Sequence, residues 1–209
     1  ELLGWTGILA KVTSYHRFSV YSASSDQQNA FSRDLHRAEF LTPSMSDWMH
    51  LANSKKAWQA RGFVEFNQAD VASLLGDCLS NAIQQGHFTV TTASVWAGAG
   101  GTRTPLHVDQ VPALVFQIAG TKRWFLSSRL DIEDAVSRGV LPQAVSDNGN
   151  TSDYCVDGTL EEVHRFKTRG EFVELQAGDC LVLPAGLFHD VECAANKPAS
   201  MSLTLRFEL

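Results

Sequence analysis

The chain has 209 residues, 44% of them apolar, and a formal net charge of -6 spread along its length. That suits one domain with a sizeable core, and the lack of a basic stripe argues against direct nucleic-acid binding. No apolar run approaches the roughly 18 residues of a membrane-spanning helix, and no secretion signal is seen, which points to a cytoplasmic or nuclear setting. Cys78, Cys155, Cys180 and Cys193 show no C-x-x-C spacing. Each is expected as a reduced, small buried hydrophobe rather than a zinc ligand.

The pattern divides the chain into a helical part, 1–87, and a β-rich part, 88–209. Residues 27–40 carry apolar positions among mixed charges and read as a helix. Residues 46–60 do so more clearly, with Ser46 or Asp47 as N-cap before Trp48 and Met49. The best helix spans 70–85. Asp70 caps it, Val71, Leu74, Leu75, Cys78, Leu79, Ala82 and Ile83 recur at helical spacing, and Gly86 ends it. That stripe is a packing face.

After Gly86 the period shifts towards two. Strands are expected near 88–97, 104–109, 113–119, 122–127, 171–175, 180–183, 187–193 and 200–208, a number and spacing that suit a sandwich or barrel. Gly120-Thr121 and Ala177-Gly178-Asp179 read as turns, and Gly98-Ala99-Gly100-Gly101 as a flexible loop. Residues 128–170 read as an insertion between the fourth and fifth core strands, opening with a short helix over 131–136. Such a segment either shapes access to a site or is a solvated excursion.

Within the β part, His107-Val108-Asp109 puts an imidazole and a carboxylate on one face of a strand, because residues i and i+2 point the same way. A second imidazole, His189, would have to arrive from a later strand. Two His and one carboxylate form an open metal site of the kind used by non-haem Fe(II) oxygenases, and both rings must be neutral to bind. The spacing alone also fits a surface His and a turn Asp. Lys122 alternates with Trp124 and Leu126, against Arg123 and Phe125. A lysine facing inward needs an anion, but alternation leaves open that Arg123 points inward instead. Ser202, Thr204 and Arg206 share one face.

The run from Thr104-Pro105-Leu106-His107-Val108-Asp109 through Ala113 to Leu126, with Val173 to Val191, resembles the jumonji-C (JmjC) group of cupin-fold, Fe(II)- and 2-oxoglutarate-dependent oxygenases, in particular its small hydroxylase branch. The resemblance covers about 90–209. It implies a single JmjC-type domain, mainly β with N-terminal helices packed on a double-stranded β-helix (jelly-roll, cupin) core. It implies Fe(II) on His107, Asp109 and His189 as the catalytic centre. It places Lys122 and Thr104 on the distal carboxylate of 2-oxoglutarate, Trp96 in the wall of that pocket, and Thr204, or else Arg206, beside the cosubstrate. The implied activity is hydroxylation of a C–H bond in a protein or peptide side chain or a small molecule, with release of succinate and CO2. A homodimer is also implied.

There are two departures. Ala113 stands where the branch often carries Asn, and residues 88–94 offer Phe88, Thr89, Thr92 and Ser94 but no Tyr to complete the carboxylate site. Both keep open a non-catalytic cupin-fold binding or regulatory protein. N-methyl-lysine demethylation is the rival within the family, but no reader domain accompanies the chain. A zinc hydrolase would want a general-base Glu, which is missing beside the ligands.

Overall fold

The computed structural model describes residues 18–22, 36–40, 57–64, 81, 85–87, 89–99, 101–141, 145–146, 154–155, 165–167, 170–194 and 198–208. The helix expected over 70–85, with Cys78, lies almost wholly outside these residues. The first part differs from expectation where it is described. Strands β1 (Phe18–Ser22), β2 (His36–Phe40) and β3 (Trp58–Val64) occupy it. Residues 36–40 and 58–60, read above as helix ends, are therefore extended. The cause is tertiary pairing, which overrides weak helix propensity. β3 pairs with β4 (Thr89–Ala99) from Trp58↔Ala99 to Val64↔Ala93, and β1 pairs with both β3 and β2.

The remaining strands are β5 (Arg103–Val108), β6 (Ala113–Ala119), β7 (Thr121–Ser127), β8 (Val145–Ser146), β9 (Tyr154–Cys155), β10 (Glu171–Gln176), β11 (Cys180–Leu183), β12 (Phe188–Cys193) and β13 (Ser200–Glu208). Among the described residues they form two antiparallel sheets, ordered β11-β6-β13-β4-β3-β1-β2 and β10-β7-β12-β5-β9-β8. From β4 to β7 the chain crosses between the sheets at every step, and it does so again from β10 to β13. This is the jelly-roll core of a cupin. Gly120 turns β6 into β7 with φ +64, and an ideal Cβ there would lie 2.6 Å from Ala199 O, so only glycine fits. Gly98 belongs to β4 rather than to a loop. A Cβ on it would stand 2.9 Å from both Cys193 Sγ and Thr102 Oγ1, a close approach that explains the missing side chain.

Between the sheets Ala113, Val115, Trp124, Leu175 and Leu183 form one apolar cluster. A second lies on the outer face of the β5–β12–β7 sheet, where Ile132 and Ala135 of helix α1 (Arg129–Ser137) meet Leu106, Val108, Phe125, Phe166 and Phe188. Ser128 caps α1 by accepting from Asp131 N–H. Further along the insertion, β9 pairs with β5, with Cys155 opposite His107. The described parts of 128–170 thus cover the sheet and extend its edge. Cys193 is buried as expected, whereas Cys180 is exposed, since it starts a strand whose apolar contact is carried by Leu183. No helix among the described residues is long and apolar enough to cross a membrane.

The same outer face carries a buried ion cluster. Asp190, at 0% exposure, accepts from Arg103 Nε at 2.7 Å and Lys167 Nζ at 2.8 Å, and Lys167 also donates to Glu192 Oε1 at 2.6 Å. It ties residues 165–167 to β5 and β12. Asp190→Ala removes the buried carboxylate that Arg103 and Lys167 share and should cost about 3–5 kcal/mol, read from urea unfolding.

Candidate metal centre and anion pocket

An irregularity in the pairing of β5 with β12 builds the site. His107 lies opposite His189 and Thr104 opposite Val191, so three steps along β5 match two along β12. The extra residue is a bulge, and Pro105, which has no N–H to place in a ladder, lies within it. The bulge shifts the side-chain alternation by one. Thr104, His107 and Asp109 all face the pocket, while Arg103 and Leu106 turn outward to the ion cluster and to α1.

The candidate ligand atoms of His107, Asp109 and His189 all lie within 4.8 Å of one another. The two rings sit 4.1 Å apart between centroids. His107 Nδ1 is 2.7 Å from Pro105 O, and His189 Nδ1 is 3.1 Å from Leu187 O. A ring nitrogen beside a carbonyl carries the proton, which leaves Nε2 with its lone pair free for a metal. Burial first, then the neighbouring His107, hold the His189 pKa down from 6.5 to about 3, against the raising pull of Asp109 and of the Leu187 carbonyl. That ring is neutral at neutral pH, as ligation requires. Gly186 N–H donates to Asp109 O at 2.9 Å, fixing the backbone behind the carboxylate. This donor set fits a divalent metal held by three residues with other positions open.

Lys122 points into the same pocket and Arg123 points out, which resolves the alternation. Lys122 is 4% exposed. Its Nζ donates to Trp96 O at 2.9 Å and Ser202 Oγ at 2.6 Å. No carboxylate meets it among the described residues. Burial, opposed by Cys193, brings its pKa from 10.5 to about 8. An ammonium has three N–H donors, and two neutral acceptors leave both its charge and one donor unanswered. An anion within reach of Nζ would answer both.

Thr104 lines this side of the pocket. Its Oγ1 accepts from Gln59 Nε2 at 2.9 Å, so its own hydroxyl proton is free to donate elsewhere. Gln59, 7% exposed on β3, was not identified from the sequence, because its segment reads as helix there. Trp96 lines the pocket with its ring beneath the Arg61 guanidinium, 4.4 Å from the ring centroid. Trp124 lines it beside His189, with ring centroids 5.7 Å apart. Ser202, Thr204 and Arg206 all face inward from β13. Of these, Arg206 reaches the candidate ligand Asp109 and Ser202 reaches Lys122. No hydrogen bond of the Thr204 side chain is among those described. Ala113 is fully buried between the sheets, outside the pocket lining, so that position offers no donor.

The His189 pKa has a consequence for stability. The unfolded ring takes up a proton below about 6.5 while the folded ring stays neutral to about 3. The stabilisation is complete above the unfolded value and is lost as pH falls across that window. Metal-free protein should therefore lose urea resistance from pH 7 to pH 4, and His189→Leu should flatten that slope.

A family model described as a cupin-like domain matches residues 10–207. Among solved structures, Escherichia coli ycfD shares the fold with a TM-score of 0.56 at 15% identity, covering 97% of this chain and 44% of that one. The E. coli ribosomal oxygenase YcfD in complex with cobalt and 2-oxoglutarate gives 0.51 at 15% identity, over 97% of this chain and 43% of that one. This chain spans less than half the length of those solved chains. No curated protein matches its sequence. On the match across nearly its whole length, the chain belongs to the cupin-like domain family.

Proposed function

We propose that this chain is a non-haem Fe(II)- and 2-oxoglutarate-dependent dioxygenase that hydroxylates a C–H bond of a protein side chain or small molecule, with succinate and CO2 as co-products. One observation carries the reading. An open three-ligand cluster and a buried ammonium that meets no carboxylate among the described residues face the same pocket. A 2-oxo dicarboxylate has a chelating end for the first and an anionic end for the second. The ribosomal oxygenase of the same fold, crystallised with cobalt and 2-oxoglutarate, agrees in class.

His107, Asp109 and His189 would hold the metal. Lys122 and Thr104 would hold the far carboxylate, each charge-assisted hydrogen bond contributing about 1.5–3 kcal/mol. Val115, Trp124 and Leu183 line the same pocket and would wall the cosubstrate from water. When bound, iron and cosubstrate together supply the oxidation, coupling loss of CO2 from the 2-oxo acid to reduction of O2, and the protein supplies orientation and a dry cavity. Thr204 and Trp96 line the same space and would contact the cosubstrate or the substrate.

The deciding experiment is succinate release from 2-oxoglutarate with Fe(II), O2 and ascorbate, alongside 2-oxoglutarate binding to the cobalt-loaded protein. Wild type should bind and turn over slowly without a prime substrate. Lys122→Glu should lose both properties while still binding cobalt. Absence of 2-oxoglutarate binding to loaded wild type would leave a cupin-fold binding protein in its place. Only the protonated amine attracts a carboxylate, so affinity should be flat below pH 8. Well above the Lys122 pKa of about 8 it should fall by about tenfold per pH unit. Lys122→Met should remove that dependence together with most of the affinity.

A further inference from the structure

Arg206 is the second cation of the pocket, and unlike Lys122 it has an anion. Its NH2 donates to Asp109 Oδ1 at 2.7 Å, with side chains 25% and 13% exposed respectively. Strand β13 places it there, opposite Ala113 of β6 and Thr92 of β4. The two carboxylate oxygens of Asp109 therefore have different surroundings. Oδ1 faces a permanent positive charge, and a metal seated across both oxygens would have to share Oδ1 with it. Like charges that close repel appreciably in a half-buried, weakly screened site. The guanidinium is also a planar, always-charged donor that fixes the plane of the carboxylate it meets. With the Asp109 carbonyl pinned by Gly186 N–H, only side-chain torsions remain for Arg206 to set.

We infer that Arg206 is a positioning residue that restricts Asp109 to a single metal-bound oxygen, so that a six-coordinate metal on His107, Asp109 and His189 keeps three open positions rather than two. The inference rests on the dioxygenase reading for its purpose. A 2-oxo acid chelating through two oxygens and an O2 molecule need three positions between them, and a two-oxygen Asp109 would leave one of them without a place.

Mn(II) alone is the probe, followed by 2-oxoglutarate. The water-proton relaxivity of bound Mn(II) counts its exchangeable water positions, three in wild type under this inference. In Arg206→Met the freed carboxylate closes on the metal with both oxygens, and relaxivity per bound ion should fall by roughly a third, given six positions in all. Arg206→Lys, which keeps a cation beside Oδ1, should restore much of it. At saturating Mn(II), 2-oxoglutarate should bind Arg206→Met more weakly by on the order of tenfold. Unchanged relaxivity, or unchanged 2-oxoglutarate affinity, overturns the inference. If Arg206→Met does not fold, Arg206→Gln takes its place under the same criteria. If loaded wild type takes no 2-oxoglutarate, the proposed function fails while the relaxivity comparison still decides the role of Arg206. Failure of wild type to bind Mn(II) overturns both.

Discussion

The site depends on one mismatch in a ladder, where two residues of β5 stand against one of β12 between the Thr104 and His107 pairs. Without the extra residue, Thr104 and His107 would fall on opposite faces of the sheet, because an odd separation in a regular strand reverses the side chain. The bulge allows a hydroxyl, an imidazole and a carboxylate to line one cavity from one short strand. It also lets Arg103 leave the same strand on the other side and join Asp190. The same pairing sets His107 against His189, so two distant parts of the chain meet at one point.

Charge is sorted by face. On the outer side, Arg103 and Lys167 are matched by Asp190 and Glu192. On the inner side the matching is incomplete. Arg206 is paired with Asp109, and among the described residues Lys122 meets only neutral oxygens. Burying an ammonium this way opposes folding, as its lowered pKa shows. Strained electrostatics of that kind are tolerated where a ligand completes them. The outer network offsets part of the cost by fixing the strands that carry the inner groups.

The insertion contributes through packing rather than chemistry. Helix α1 covers Leu106, Phe125 and Phe188, whose strands present His107, Lys122 and His189 on the opposite face. Residues 165–167 anchor its far end with Phe166 in the apolar cluster and Lys167 in the ion cluster. Rigid backing of this sort would hold the candidate ligands within the narrow tolerance that metal binding requires.

Sequence alone determined the features with local causes. Strands β4 to β7 and β10 to β13 follow from period-two alternation, whereas the short β8 and β9 within the insertion do not. The turn at Gly120 follows from the residue that tolerates φ +64, the common face of His107 and Asp109 from their spacing, and the helix near 131–136 from its composition. Tertiary structure decided whatever depended on a distant partner. The stretch around Trp58 is a strand because β4 lies beside it, and Gln59 reaches Thr104 across 45 residues. Arg206 reaches Asp109 across 97 residues, and Lys122 rather than Arg123 turns inward because the second sheet buries that face of β7. Alternation specifies which residues share a face, but only the packing of one sheet on another specifies which face is inside.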